Sequence, residues 1–199
     1  MIRLFDIVFS FLGLLFLLPL FLVLYVVICI ESRGGGFYCQ TRVGKDDRDF
    51  QLLKFRSMRV GADAEGLITI GGNDSRITRV GYFIRKYKLD ELPQLINVLI
   101  GDMSLVGPRP EVRKYVDLYT PEQRKILLSV RPGITDYASI EYVDENELLD
   151  KAVDPEKEYI EKIMPDKIRY NMKYINNQTV SEYFKIIFLL STSFIKSST

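Results

Sequence analysis

The amino-acid sequence predicts an α+β protein that is predominantly helical, with a small β-hairpin and an N-terminal helix embedded in a membrane. Three patterns predict this fold. Residues 4–30 form one long apolar segment, two strand-like runs flank a polar turn at 45–49, and apolar residues recur at helical spacing between Leu92 and Ile100. A chain of 199 residues has room for one domain with its own hydrophobic core.

Charge and residue usage argue against several classes of function. The 27 Lys and Arg residues nearly balance the 26 Asp and Glu residues, and a net charge of +1 gives no bulk field that would attract nucleic acid. Cys29 and Cys39 form neither a CxxC pair nor a disulfide framework, which indicates a reducing compartment. The chain has no histidine, so it lacks the usual acid–base group near neutral pH and the commonest transition-metal ligand.

The apolar segment 4–30 is long enough to cross a membrane. About 27 residues at about 1.5 Å each extend about 40 Å, against a hydrocarbon core of about 30 Å. No small-residue cleavage site follows it, so a cleaved signal peptide is not expected. Pro19 lies near its middle, where it removes a backbone hydrogen bond and bends the helix. Taken alone, the segment favours a kinked transmembrane helix over a helix-break-helix that returns to the face it entered.

Short elements and loops follow the apolar segment. The runs "FYCQTRVG" and "FQLLKFRSMR" predict the hairpin, and Lys54 and Arg56 share one face of its second strand because side chains alternate. A polar loop is predicted at 61–79, and a short helix over "VGYFIRKYKLDE". The amphipathic helix that comes next has Pro93 in its first turn and ends at Gly101.

The last part of the chain contains two rigid loops and an apolar C-terminal segment. "GPRP" at 107–110 and "RPG" at 131–133 are the loops, and a helical stretch around "PEQRKILLSV" lies between them. The segment 182–196, "EYFKIIFLLSTSFIK", is apolar but too short to span a membrane. It predicts either a core helix or an interfacial helix with its lysines at the water line.

Two adjacent carboxylates, Asp90 and Glu91, precede the amphipathic helix. Unpaired amides and the helix dipole at such a position stabilise negative charge, and they also favour a phosphate nearby. The alternative is that both residues only cap the helix, which is common. Arg85 lies five residues earlier, with further basic residues interleaved, and this favours a site for anions.

Arg109 lies between two prolines in the "GPRP" loop. Pro110 pushes Arg109 towards an extended backbone, and Pro108 fixes its own φ. A guanidinium held in this way loses little entropy on binding a phosphate through two hydrogen bonds. The alternative is a surface turn in which Arg109 is solvated or paired with Glu111.

Several of these motifs together resemble the monotopic phosphoglycosyl transferases, the bacterial sugar transferase family. They are "KFRSM", "LDELPQLINVLIGDMSLVGPRPE" and "RPGIT", after a single N-terminal apolar segment. The resemblance extends to about Tyr142 and is to the small form of the family, which is the catalytic domain only. It implies transfer of a sugar 1-phosphate from a UDP-sugar to polyprenol (undecaprenyl) phosphate, with release of UMP. That reaction would be the first membrane step of glycoconjugate or exopolysaccharide biosynthesis.

The resemblance also implies roles for individual residues. Asp90 would be the nucleophile that forms a covalent phosphosugar intermediate, and Glu91 would act beside it by binding Mg²⁺. Arg85 would bind the phosphate of the lipid acceptor, and Lys54 and Arg109 would line the anionic substrate site. UMP is an acidic leaving group and the acceptor phosphate is already anionic, so a site without histidine is compatible with this reaction.

The resemblance further implies a location at the bacterial inner membrane among its lipids. Residues 1–31 would form a re-entrant membrane helix with a break at Leu18-Pro19, and residues 32–199 would form a catalytic domain facing the cytosol. Two departures from the family pattern are visible. Leu18 stands where many members have serine, and "DYASIEYVDE" follows "RPGIT" where many relatives continue Gly-Leu-Ala-Gln-Val.

Two alternatives to the covalent enzyme are open at the level of the sequence. In one, polyprenol phosphate attacks the donor directly and Asp90 is only a metal ligand. In the other, the chain is an inactive membrane-anchored scaffold for polysaccharide assembly. The presence of Asp90, Glu91, Arg85 and Arg109 argues against the scaffold.

Overall fold

The protein, in a computed structural model that describes residues 1–66, 74–142 and 145–197, is mostly helical with two small sheets in the described part. The helices are α1 Ile2–Glu31, α2 Arg79–Lys86, α3 Gln94–Ile100, α4 Arg113–Val116, α5 Pro121–Leu127, α6 Tyr137–Glu141, α7 Glu145–Asp150, α8 Pro155–Glu158, α9 Met164–Asn176 and α10 Val180–Ser197. The strands are β1 Phe37–Val43, β2 Asp49–Phe55, β3 Ser104–Val106 and β4 Gly133–Thr135. The predicted helical fold with small sheets is confirmed.

The N-terminal helix α1 is apolar along almost its whole length. Within the described residues it is the helix long and apolar enough to cross a membrane, with a mean hydropathy of 2.9 over its most apolar window. Pro19 lies inside this helix, which is continuous from Ile2 to Glu31. The break expected at Leu18-Pro19 stays a prediction, because a bend at proline can leave the residues on both sides helical. A helix tolerates the one backbone hydrogen bond that proline removes, so the chain stays helical through that position.

The start of α1 is attached to the rest of the protein by two charged side chains. Arg3 donates from Nη1 to the Val98 carbonyl oxygen at 2.6 Å and from Nη2 to the Leu99 carbonyl oxygen at 3.0 Å. Both carbonyls lie in the last turn of α3, where such groups have no partner within the helix. Asp6 is only 2% exposed. Its Oδ1 accepts hydrogen bonds from Ser104 Oγ at 3.0 Å, the Leu105 amide at 3.0 Å and the Tyr183 hydroxyl at 2.9 Å.

The end of α1 also packs against the domain. The ring of Phe21 meets that of Phe55 on β2 at 5.0 Å, and Ile28 is buried in the same cluster as Ile84 of α2. The carboxylate of Glu31 accepts hydrogen bonds from the first two backbone amides of α2, each at 2.9 Å. Helix α1 therefore contacts the domain at both of its ends.

The predicted hairpin is confirmed, with β1 and β2 paired antiparallel from Phe37↔Phe55 to Val43↔Asp49. The second sheet is a short parallel pair, in which Ser104 lies opposite Gly133 and Val106 opposite Thr135. This pairing brings the "GPRP" loop, which follows β3, against the "RPG" turn at the start of β4.

Two glycines allow this close approach of the loops. A Cβ on Gly133 would lie 2.1 Å from the Gly107 nitrogen, and a Cβ on Gly107 would lie 2.6 Å from the Arg131 carbonyl oxygen. Real Cβ atoms do not approach backbone atoms so closely, so both positions require glycine. The loop that carries Arg109 is positioned by this contact.

The segment predicted as one helix over 80–91 is instead two elements. Helix α2 ends at Lys86, and a separate 3₁₀ turn covers Leu89–Glu91. Lys88 has a left-handed backbone with φ 54°, which interrupts the helical path. Asp90 and Glu91 consequently lie in a turn of their own, directly before α3.

The C-terminal segment forms α10, and its described first turns belong to the core. Tyr183 and Ile186 are fully buried in a cluster with Val106 and Tyr174. Phe184 packs edge-on against Phe5 of α1 at 5.1 Å. Of the two predicted alternatives, the core helix describes this part of the segment.

We expect Asp6→Ala to lower the free energy of unfolding by about 3 kcal/mol, because it leaves several buried donors without their acceptor. Tyr183→Phe removes one of the three donors and should cost about 1 kcal/mol. Thermal or denaturant unfolding of the detergent-solubilised protein measures both. Unchanged stability of Asp6→Ala would contradict the role given to this carboxylate.

Candidate active site

Asp90 lies at the edge of a large cavity and is only 6% exposed. Among the described residues, its carboxylate makes no hydrogen bond or ion pair. Burial raises the pKa of Asp90, and the neighbouring charge of Glu91 raises it further, whereas Lys54 and Arg85 lower it. Asp90 is thus a carboxylate without a fixed partner, held beside several cations.

Glu91, in contrast, is held on two sides. Arg109 donates from Nη1 to Oε2 at 3.0 Å and from Nη2 to Oε1, and Lys54 Nζ lies 3.7 Å from Oε1. Burial alone would raise the pKa of Glu91, but the charges of Arg109 and Lys54 outweigh it and keep that pKa well below its usual range. Glu91 therefore stays ionised.

Lys54 is on β2 and faces the same cavity. Burial lowers its pKa to about 8; the nearby charges of Arg109 and Arg42 also lower it, and that of Glu91 raises it. At neutral pH Lys54 is mostly protonated. The charged form of Lys54 is stabilised in the site chiefly by the carboxylate of Glu91.

Arg109 is fixed through both its backbone and its side chain. Its amide donates to Asp136 Oδ2 at 3.2 Å, and Nη1 also approaches the Ile134 carbonyl oxygen at 3.4 Å. The charge of Glu91 raises the pKa of Arg109, and burial opposes that rise only in part. The alternative pairing of Arg109 with Glu111 is wrong, because Glu111 instead lies 3.8 Å from Arg42.

Arg85 on α2 lines the cavity, and its Nη1 lies 3.5 Å from Ser57 Oγ. Its charge lowers the pKa of Asp90. The five predicted site residues therefore line one cavity of about 1400 Å³: Lys54, Arg85, Asp90, Glu91 and Arg109. Arg56 follows the end of β2 and donates to the Phe37 carbonyl oxygen at 3.1 Å.

Gln40 and Arg42 also line the cavity, and neither was predicted from the sequence. Gln40 Oε1 accepts from Arg42 Nε at 3.0 Å and from Nη2 at 2.7 Å, and Arg42 Nη1 donates to the Pro110 carbonyl oxygen at 3.0 Å. Arg42 thereby supports the loop that carries Arg109. The available signal was their two-residue spacing on β1, which places both side chains on one face of the strand.

Asp90 and Glu91 are two adjacent carboxylates of the site that could hold a divalent cation. The described residues contain no cluster of three or more acidic, thiol or imidazole ligands. Mg²⁺ needs no such cluster, because it is commonly held by one or two carboxylates together with substrate phosphates. The oxygens of Asp90 lack partners among the described residues, so this pair fits that mode of binding.

This arrangement suits attack on a phosphorus atom that carries negative charge. A nucleophilic carboxylate and an anionic diphosphate repel one another, and fixed cations reduce that repulsion. Lys54 and Arg85 supply such cations beside Asp90, and Arg109 supplies one at the neighbouring Glu91. Phosphoryl transfer depends mainly on positioning and charge neutralisation, and it needs no imidazole here.

Comparisons with known proteins agree with this chemistry. The sequence model of the family described as "Bacterial sugar transferase" matches residues 1–197. The chain is 48% identical over 124 residues to an Aeromonas hydrophila protein named UDP-N-acetylgalactosamine-undecaprenyl-phosphate N-acetylgalactosaminephosphotransferase, over 61% of this chain and 29% of that protein.

Two further relatives are named UDP-glucose:undecaprenyl-phosphate glucose-1-phosphate transferase. That of Klebsiella pneumoniae is 37% identical over 190 residues, covering 94% of this chain and 38% of the relative. That of Escherichia coli (strain K12) is 35% identical over 187 residues, covering 92% and 38% respectively. The chain thus spans less than two fifths of the length of each of these three relatives.

Proposed function

The chain belongs to the bacterial sugar transferase family, and from this premise we propose that it transfers a sugar 1-phosphate from a UDP-sugar to polyprenol (undecaprenyl) phosphate. The products would be a polyprenyl-diphospho-sugar and UMP. The observation that carries the proposal is Asp90, a buried carboxylate that lies near cations and has no hydrogen-bond or ion-pair partner in the part of the chain that the structure describes. The relatives named above act on undecaprenyl phosphate with nucleotide sugars, in agreement with this reaction.

We propose that Asp90 acts as a covalent nucleophile. One of its oxygens bonds to the phosphorus that carries the sugar, the bond from that phosphorus to the bridging oxygen breaks, and UMP leaves with the electron pair. An oxygen of polyprenol phosphate then attacks the same phosphorus, and the bond to Asp90 breaks, which restores the carboxylate. Neither step needs a general acid, since both leaving groups are weakly basic.

The cations of the cavity have separate parts in this proposal. Lys54 and Arg109 bind the diphosphate of the donor, and Arg85 binds the phosphate of the lipid acceptor. Arg109 pairs with Glu91 through both of its Nη atoms and would exchange that carboxylate for phosphate oxygens. Glu91 would then hold Mg²⁺, which when bound neutralises part of the diphosphate charge.

We also propose that α1 is re-entrant and lies in the bacterial inner membrane with both ends at the cytosolic side. Asp6 near its start and Glu31 at its end both bond to the catalytic domain. A helix that crossed the bilayer would carry one of these residues to the opposite side, about 30 Å away. Between them, Phe16 is 84% exposed and is available to the acyl chains. The domain faces the cytosol because UDP-sugars are made there.

The first prediction concerns Asp90. Incubation of the purified protein with its UDP-sugar alone should release UMP and leave a phosphosugar adduct on Asp90, seen by intact-protein and peptide mass spectrometry. Asp90→Asn should lower turnover by at least about a thousandfold because the amide is a poor nucleophile. Asp117→Asn, on the surface, serves as the matched control. Full turnover of the wild-type protein with both substrates, without an adduct on Asp90 after incubation with the UDP-sugar alone, would favour direct attack by the lipid phosphate.

The second prediction concerns Glu91. Glu91→Gln should raise the Mg²⁺ concentration needed for half-maximal turnover by at least about tenfold, because the amide is a weaker ligand for a hard cation. Titration of Mg²⁺ in the UMP-release assay measures this. Glu122→Gln on α5 is the control, and an unchanged Mg²⁺ requirement for Glu91→Gln would refute its role as a ligand.

The third prediction concerns topology. Tags placed at Met1 and at Thr199 should both be inaccessible to an impermeant reagent in intact cells and accessible after the inner membrane is opened. This outcome follows from a helix whose two ends lie on one side. Labelling of the Met1 tag in intact cells would mean that α1 spans the membrane.

A further inference from the structure

Asp136 follows the last residue of β4 and begins the segment that departs from the family pattern. Its side chain is only 1% exposed and lines the catalytic cavity. Oδ2 accepts a hydrogen bond from the Arg109 amide at 3.2 Å, and Oδ1 accepts from the Ser139 amide at 2.6 Å and from the Ser139 hydroxyl. The two oxygens of one buried carboxylate therefore join the loop that carries Arg109 to the start of α6.

The loop that carries Arg109 has little backbone hydrogen bonding of its own. The residues on either side of Arg109 are prolines, which lack an amide hydrogen, so its amide is the one backbone donor of residues 108–110. Just before the loop, the Gly107 amide still donates to the Thr135 carbonyl oxygen at 3.0 Å. The next available amide, that of Arg109, donates to the Asp136 carboxylate instead. Asp136 thus holds the loop through the donor that its backbone offers.

The proposed reaction requires Arg109 to change partners while its backbone stays in place. In the structure the guanidinium pairs with Glu91, and in the reaction it would turn to the phosphates of the donor. The hydrogen bond from Asp136 is made to the backbone, so it is compatible with either partner of the guanidinium. The charge of Glu91 raises the pKa of Arg109 most, and the charge of Asp136 raises it further.

We propose that Asp136 is a positioning residue for Arg109 and thereby strengthens binding of the donor diphosphate. This inference rests on the proposed function, because it concerns how Arg109 is held for the same reaction. Asparagine and serine are both good N-caps, but each offers only one side-chain oxygen as an acceptor. Either residue at position 136 would still cap α6 and would leave the Arg109 amide without its acceptor.

The test is calorimetric binding of UDP, in the presence of Mg²⁺, to the full chain in lipid nanodiscs. UDP supplies the diphosphate without a sugar to transfer. Asp136→Asn and Asp136→Ser should each weaken UDP binding by about tenfold, because an arginine on an unanchored loop loses more conformational freedom on binding. Asp154→Asn makes the same change at the N-cap of α8, where Oδ1 accepts one amide hydrogen bond, and should bind as the wild type does. Thermal unfolding checks that each variant is folded.

A double-mutant cycle separates positioning of Arg109 from a merely structural role. In an Arg109→Gln background, Asp136→Ser should not weaken UDP binding further, because the side chain through which it acts is already gone. In an Arg85→Gln background it should keep its full effect of about tenfold. An equal loss of UDP affinity in both backgrounds would overturn the proposal.

Ser139→Ala removes one donor to Oδ1 and leaves the bond from Oδ2 to the Arg109 amide, so it should keep the UDP affinity of the wild type. A loss as large as that of Asp136→Ser would place the effect in α6 and overturn the proposal. The UMP-release assay tests the proposed function separately. If the wild type binds UDP and releases UMP while both Asp136 variants keep its UDP affinity, the positioning role alone is refuted. If the wild type neither binds UDP nor releases UMP, both are refuted.

Discussion

The ion pair between Glu91 and Arg109 is the interaction on which the rest of the site depends. Two adjacent buried carboxylates repel, and without compensation at least one of them would be protonated. Arg109 and Lys54 neutralise Glu91 and keep its pKa low, while Asp90 has a raised pKa and no fixed partner within residues 1–66, 74–142 and 145–197. The two acids therefore differ: Glu91 is ionised and paired with cations, whereas the carboxylate of Asp90 faces the cavity.

The strand β3 links this ion pair to the membrane helix. At its start, Ser104 and Leu105 donate to Asp6 of α1. At its end, Gly107 contacts Gly133 so closely that neither position admits a side chain, and the loop that follows carries Arg109. The three-residue strand β3 therefore fixes the position of α1 at one end and the position of the Arg109 guanidinium at the other. In the proposed reaction, β3 thereby holds the diphosphate site at a fixed position relative to the lipid-embedded helix.

Local patterns predicted much of the fold, and distant contacts explain the differences. Alternation along the strands predicted the hairpin, and apolar spacing predicted α3, because both depend on neighbouring residues. Arg109 was given Glu111 as its alternative partner, two residues away, yet it pairs with Glu91, 18 residues away. The core position of α10 likewise depends on a bond from Tyr183 to Asp6 across 177 residues. The periodicity of a sequence does not encode such long-range pairings. For the same reason, the hydrogen bond by which Arg42 supports the Arg109 loop was not predicted.

The charges of the cavity also constrain the order of events in the proposed reaction. In the structure, Arg109 and Lys54 are directed at Glu91, so an entering diphosphate must compete with that carboxylate for both cations. Release of both Arg109 and Lys54 would leave Glu91 buried and uncompensated, which is costly. In the proposed reaction Glu91 would stay compensated if it bound a divalent cation that entered with the diphosphate, while Arg109 turned to the phosphates. Donor and metal should therefore bind together, and Asp90, which needs no such exchange, is ready to react once they are in place.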